Sequence, residues 1–378
     1  MDESKIIFNL GILKHFINNS LGLSYEDNKI TGFELLNSIM EASAHNSYVE
    51  TVGDKADTLY RRIKESPISM TTHAYLNYIK RLSAKLRLNE REVILAFDYT
   101  DEDFYGDVQG FDIHGWTGKD AVTGHFKFLT CSIISDDISQ KIPLISVPIM
   151  IGHYKSSVIL HCLTLIKDYI GKINLILFDR GFYDKDLMYE LTKLKYPYLI
   201  FVPKHKDKKA ILYPMKIEEQ IAIYNDFTVN KNKSKYSGEN ILIFLKQIYD
   251  PKSEKNYDWV FATNVEEVLL ENLVITYKKR WRIETQFRVQ DKAKIKCKST
   301  EMKIRYFFFM FEQMLQTIWI CFYKDEASFK EFLIGMTNVS KRYCKVEEYR
   351  IFIKKLWSLG GSNASLFYTF GLDRVIPF

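Results

Sequence analysis

The sequence predicts an α/β protein: a helical N-terminal region, then a core of buried strands and covering helices with a β-rich segment set into it. Three observations carry this. Over residues 1 to about 88, apolar residues recur at three- and four-residue spacing, as in 30–40 and 75–82. From Val93 the pattern changes to short continuous apolar runs, 93–97 and 173–178, of the kind found in strands buried on both faces. Between about 204 and 265 the chain becomes rich in Lys, Asn, Asp and Tyr around short β-prone pieces at 240–245 and 259–262.

Taken in order, the N-terminal region contains a basic stretch at 53–65. Its Lys55, Arg61, Arg62 and Lys64 fit either the second helix of a helix-turn-helix or an ordinary surface helix. The 93–97 run is a strand that delivers Asp98 at its end. Two further strands are expected at 126–134 and 142–150; Pro143 and Pro148 put the second near an edge, because proline cannot donate to a ladder. A helix over 156–170 stops before Gly171. The strand at 173–178 delivers Asp179, and a helix at 187–194 leads into a strand at 198–202. After the β-rich segment come two long helices, at about 268–292 and 303–323. The apolar window at 306–323 is interrupted by Glu312, Gln313 and Gln316, which suits a buried helix better than a membrane span. The expected division is 1–88, 89–325 with the insertion at 204–265, and a tail at 326–378 of mixed helix and loop.

At 378 residues, with 47% hydrophobic and 26% charged, the chain has the composition of a soluble globular protein. The net charge of +6 is unevenly placed: residues 278 to 305 hold eleven Lys or Arg against Glu284, Asp291 and Glu301. With Tyr277, Trp281 and Phe287 interleaved, this is the footprint of a nucleic-acid partner; the alternative is a solvated basic face. Five cysteines (131, 162, 297, 321 and 344) without a CxxC pair point to a reducing compartment rather than a disulfide framework or a structural zinc. The first residues lack a signal-peptide pattern, so a cytoplasmic protein is expected.

The chemistry lies in three carboxylates. Asp98 and Asp179 follow strands whose ends can share one edge of an open sheet, and Glu284 sits in a basic helix. Hard divalent ions such as Mg²⁺ take oxygen ligands of this kind, and a two-metal site suits in-line displacement at phosphorus. No Ser-His or Cys-His arrangement competes. Tyr277, Arg280, Glu284 and Arg288 recur at three, four and four residues and so share a helix face, where an Arg on either side of Glu284 can hold phosphates. The competing reading is a surface helix with Arg–Glu pairs worth only tenths of a kcal/mol. Asp101, Glu102, Asp103 and Asp107 are expected in a solvated loop, Asp184 and Asp186 at a helix start, and His114, His125 and His153 as structural or surface residues.

Residues 94–100 around Asp98, Leu177-Phe-Asp179-Arg-Gly-Phe-Tyr, and Tyr277-x-x-Arg280-x-x-x-Glu284 resemble the three signature blocks of DDE transposases of the insertion-sequence-4 type. The order fits, with 81 residues between the aspartates and 105 from the second to Glu284. The resemblance covers roughly residues 90 to 323. It implies an RNase H-like core with a β-rich insertion and a helical N-terminal DNA-binding region, in which Asp98, Asp179 and Glu284 are catalytic and bind two Mg²⁺, or Mn²⁺. It implies DNA contacts by Tyr277 and Arg280. Where the family's block continues with a Lys seven residues after the Glu, this chain has Asp291, leaving Arg288 or Lys292 to substitute. Trp259 is a candidate for stacking on an extruded base, or a buried strand residue. The implied activity is cleavage at transposon ends and joining to target DNA by a homodimer holding both terminal inverted repeats, with the C-terminal tail as a pairing surface. A nuclease or junction resolvase that cleaves without joining, and a non-catalytic DNA-binding derivative, remain alternatives.

Overall fold

A computed structural model describes residues 1–23, 32–53, 55–115, 121–135, 141–202, 221–224, 241–250, 254–265 and 270–358. Its centre is a nine-stranded mixed sheet. Strand β1 (Val93–Phe104) runs antiparallel to β3 (Gly124–Ile133), which on its other side takes a two-residue β2 (His114–Gly115) and β4 (Ile142–Ile149). Strands β5 (Ile173–Phe178) and β6 (Tyr198–Phe201) lie parallel to β1 on the opposite side, giving the core order β4-β3-β1-β5-β6. The parallel steps are bridged by helices, as parallel pairing requires: α6 (Lys155–Ile166) precedes β5, and α7 (Lys185–Lys193) precedes β6. Pro143 and Pro148 do sit in an edge strand, since β4 pairs only with β3. Gly171 closes the turn into β5 for a steric reason: a Cβ there would stand 2.2 Å from the Arg91 carbonyl oxygen.

The β-rich segment is joined to the core within one sheet. Its described strands, β7 (Ile221–Tyr224), β8 (Ile241–Asp250) and β9 (Lys255–Thr263), continue the main sheet, because β9 pairs antiparallel with β6 through Leu199 and Thr263. Residues 203–220 and 225–240 of that segment lie outside the described residues.

The N-terminal region is helical as expected: α1 (Glu3–Leu21), α2 (Gly32–His45), α3 (Val49–Val52), α4 (Ala56–Glu65) and α5 (Ile68–Leu86). Among the described residues its core is continuous with that of the sheet. Leu10, Leu36, Leu59 and Tyr75 fall in one buried cluster with Phe97, Phe128 and Phe178 of the sheet. Tyr75 donates its hydroxyl to the Pro143 carbonyl at 2.7 Å, tying α5 to β4. In the candidate recognition helix α4, Leu59 and Ile63 are buried and Arg61 and Lys64 are exposed, with Arg61 paired to Glu65.

Among the described residues four α-helices follow the sheet: α8 (Leu270–Lys278), α9 (Trp281–Gln290), α10 (Met302–Phe322) and α11 (Phe329–Ser358). The single helix expected over 268–292 is thus two. The α8–α9 joint is tightened by i to i+3 hydrogen bonds, from the Arg280 amide to the Tyr277 carbonyl and from the Ile283 amide to the Arg280 carbonyl, both 3.0 Å. Helix α10 is buried over almost its whole length, and most of its buried polar groups are paired, Gln313 Nε2 excepted. Tyr306 donates to the Ser146 carbonyl at 2.8 Å, Gln313 accepts from the Ser146 hydroxyl, and Glu312 accepts from the Ile295 amide at 2.7 Å. Among the described residues no helix is long and apolar enough to cross a membrane. The start of the tail is also committed: Phe332, Leu333, Met336 and Val339 of α11 are buried, and Thr337 donates to the Met40 carbonyl at 3.3 Å. Residues 359–378 lie outside the described residues.

Glu312 supplies a test of this core. Burial raises its pKa well above 4.5, against the pull of the Ile295 amide. A carboxyl with a raised folded-state pKa stabilises fully below the unfolded pKa, and that contribution is lost as pH rises. Glu312→Gln is expected to unfold at the same temperature as wild type near pH 4.5 and at a progressively higher relative temperature as pH increases. A gap in melting temperature that stays constant with pH disproves the assignment.

Candidate active site

The register of the parallel strands builds the site. Ala96 pairs with Leu177 and Phe97 with Phe178, and there the pairing of β1 with β5 ends. The next residues on the two chains are Asp98 and Asp179. Side chains alternate faces along a strand, so Asp98 shares a face with Ala96, and Asp179 continues the face of Leu177. Ala96 and Leu177 belong to a second buried cluster with Tyr277 and Ile283, whereas Leu95, Phe97, Ile176 and Phe178 face the main core. The two carboxylates are thereby presented beside each other toward α8 and α9, in the crevice at the carboxyl end of the parallel strands.

Helix α9 is anchored over this crevice by groups that read in the sequence as part of a basic tract. Arg282 donates to the Ile134 carbonyl at 3.0 Å, and Gln286 donates to the Lys141 carbonyl. Gln316 of α10 donates to the Gln286 carbonyl. The anchoring brings Glu284 to the aspartates, and one guanidinium joins all three. Arg280 Nη1 donates to Asp98 Oδ2 at 2.7 Å, and its Nη2 donates to Glu284 Oε1 at 2.8 Å and lies 3.9 Å from Asp179 Oδ1. The Tyr277 hydroxyl donates to Asp179 Oδ1 at 3.3 Å. Side-chain exposure rises from 14% at Asp98 through 34% at Asp179 to 44% at Glu284, so Asp98 is the floor of the site and Glu284 its rim.

The electrostatics follow from this arrangement. Burial pushes the Asp98 pKa up to about 6; Arg280 and the Tyr99 amide pull it down, while Asp179 and Glu284 add repulsion. Burial also raises the Tyr277 hydroxyl above its ordinary range, which keeps it a hydrogen-bond donor. Its carboxylate neighbours hold Arg280 protonated despite burial, and its Nε is buried without a hydrogen-bond partner. The donor set is that of a hard divalent ion: three carboxylates from separate elements, already gathered around positive charge. Among the described residues no three acids, His or Cys are arranged as a ready ion cage, because the guanidinium stands between the carboxylates.

Other sequence expectations separate. Asp101, Glu102 and Asp103 are not in a solvated loop; β1 continues through them to Phe104, paired with β3. Glu102 faces Arg305 in a buried ion pair, and Asp101 lies 3.8 Å from His125. Asp184 caps α7 by accepting from the Asp186 and Leu187 amides, as expected of a helix start. Trp259 is buried among Phe201, Phe261 and Tyr277, the placement its strand-residue alternative expects. Tyr277 and Arg280 are buried, while Arg288 and Lys292 are exposed. The basic tract also divides: Arg280, Arg282 and Arg305 are spent on internal partners, and Arg288, Lys292, Lys296 and Lys298 face solvent.

One contact was missed in the sequence. Tyr99 stacks on Phe182 with centroids 4.5 Å apart, bracing the turn after Asp179 against the strand that carries Asp98. The signal was an aromatic residue immediately after Asp98 and another three residues after Asp179.

Residues 154–314 match the family model described as a transposase DDE domain. That span contains Asp179 and Glu284 and begins beyond Asp98. A solved structure, the cryo-EM structure of a piggyBac transposase synaptic complex with hairpin DNA, is similar to 98% of this chain and 83% of that one, with a TM-score of 0.56 at 12% identity. The likeness shows the fold, which is RNase H-like. No curated protein matches the chain.

Proposed function

We propose that the chain is a DNA transposase of the DDE class, of the insertion-sequence-4 type on its Tyr277-Arg280-Glu284 block. It cleaves DNA at the ends of a mobile element and joins the freed ends to a target. The observation that carries this is the gathering of Asp98, Asp179 and Glu284 around one guanidinium at the carboxyl edge of parallel strands. The match of residues 154–314 to a transposase domain supports it.

In the reaction water attacks the phosphorus at the element's end; an oxygen–phosphorus bond forms, and the bond to the 3′-oxygen breaks, leaving a 3′-hydroxyl. That hydroxyl then attacks a target phosphodiester, exchanging one ester bond for another with no external energy source. The three carboxylates would hold two Mg²⁺, or Mn²⁺, and the ions would supply Lewis acidity for displacement at phosphorus. Asp98 fixes the floor of the site, Tyr277 orients Asp179 by its hydrogen bond, and the Arg282 and Gln286 anchors hold Glu284 in reach. Exposed Arg288 and Lys292 continue from the rim and contact the backbone of the bound end. Terminal inverted repeats and target DNA are the partners, a homodimer on DNA holds both ends, and the cytoplasm is the compartment.

The test uses duplexes of the inverted repeats that flank the reading frame, pre-cut to expose the 3′-hydroxyl, with supercoiled plasmid and Mg²⁺. Joined products are expected. In a parallel reaction with uncut duplexes, cleavage there without joined products in either reaction would leave a nuclease in place of a transposase, and neither product would refute the reading.

A further inference from the structure

We propose that Arg280 is a removable internal cation, one that occupies the carboxylate triad until a DNA phosphate draws it out and so makes divalent-ion loading depend on bound DNA. The inference rests on the proposed function and adds to it an order of events.

Three observations carry it. Arg280 donates to Asp98 and Glu284 at 2.7 and 2.8 Å and lies 3.9 Å from Asp179, so it uses oxygens that a divalent ion must take. A guanidinium and a dication cannot share those oxygens, because like charges a few ångströms apart in a partly buried site repel. Second, the hold on Arg280 is incomplete. Its Nε is buried without a partner, and its two hydrogen bonds go to different carboxylates. A phosphodiester offers the paired acceptors that a guanidinium fork matches best. Third, Arg280 stands at the tightened joint between α8 and α9, where a short 3₁₀ turn interrupts the helix. Such turns commonly mark hinges.

The arrangement also answers a difficulty of the DNA-free state. Three carboxylates around a partly buried floor repel one another, and the guanidinium offsets that repulsion. When a phosphate takes the guanidinium, the exposed oxygens gain affinity for divalent cations. By linkage, ion binding must tighten DNA binding by the same factor.

The experiment measures Mn²⁺ binding to the full chain by calorimetry and by the electron paramagnetic resonance of free Mn²⁺. It is done with and without a pre-cut terminal-repeat duplex ending in a 3′-deoxynucleotide, which cannot join. Wild type alone is expected to bind Mn²⁺ weakly, and the duplex is expected to tighten binding about tenfold, within the range of ordinary allosteric couplings. Arg280→Gln is expected to bind Mn²⁺ without DNA about as tightly as wild type does with DNA, and to gain little from the duplex. Equal Mn²⁺ affinity in wild type with and without duplex overturns the gate while leaving the proposed function standing. Should Arg280→Gln not fold, the wild-type comparison decides alone. If Asp98→Asn changes Mn²⁺ binding in neither state, the triad is not the ion site, and both the gate and the reading beneath it fall.

Discussion

Asp98→Asn, Asp179→Asn and Glu284→Gln are each expected to lower strand joining by about a thousandfold or more while the chain still folds and binds its duplex. A thousandfold corresponds to about 4 kcal/mol of transition-state stabilisation, within the several kcal/mol that divalent ions supply at phosphorus. The amides keep the shape of the acids and lose the charge that holds a dication. They also remove negative charge from a surface that meets phosphate, so duplex affinity measured without divalent ions is expected to hold or rise. Asp98→Asn is the most telling of the three, because Asp98 is the most buried of the acids and lies outside the matched domain span. Joining and duplex-binding assays on the same preparations check the expectation. Wild-type joining by any one of the variants would remove that residue from the site.

The second large effect concerns stability. Arg305 and Glu102 form an ion pair with side chains only 5% and 14% exposed. Arg305 also donates from Nε to the Ser299 carbonyl at 2.9 Å and lies over the Phe126 ring at 4.8 Å. Removing one partner of a buried pair leaves the other charge uncompensated, which costs about 3–5 kcal/mol. That is a large fraction of the roughly 5–15 kcal/mol that holds a domain together. Arg305→Ala is therefore expected to shift the urea midpoint sharply downward. The double variant Arg305→Met with Glu102→Leu should recover much of the loss, since apolar replacements of buried pairs are often neutral. A loss below about 1 kcal/mol for Arg305→Ala would mean that water reaches Glu102.

Glu102 also shows where sequence reading reached its limit. Residues 98–104 carry four acids in seven positions, and acids are depleted in strands. They form a strand because partners elsewhere compensate them: Arg305 faces Glu102, and Lys127 and His125 approach Asp101. Those partners come from far along the chain, so no local window contains the cause. The aspartates were legible because an apolar run ending in an acid is itself a local pattern. Their adjacency was not, since it depends on which strands pair and in what register. Likewise Lys279 and Arg280 are good helix formers, and propensity gives no hint of the joint between α8 and α9. The basic tract was legible as charge but not as division of labour. Arg282 is spent on holding a helix, as its i,i+4 partner Gln286 is.

The pairing of Phe97 with Phe178, whose rings stack 5.4 Å apart, sets more than packing. Slipping either strand by one residue would turn its aspartate to the opposite side of the sheet. Reactivity in this molecule is thus indexed to the alignment of two greasy segments that never meet a substrate. A lesion among those rings would silence the chemistry while leaving most of the architecture standing.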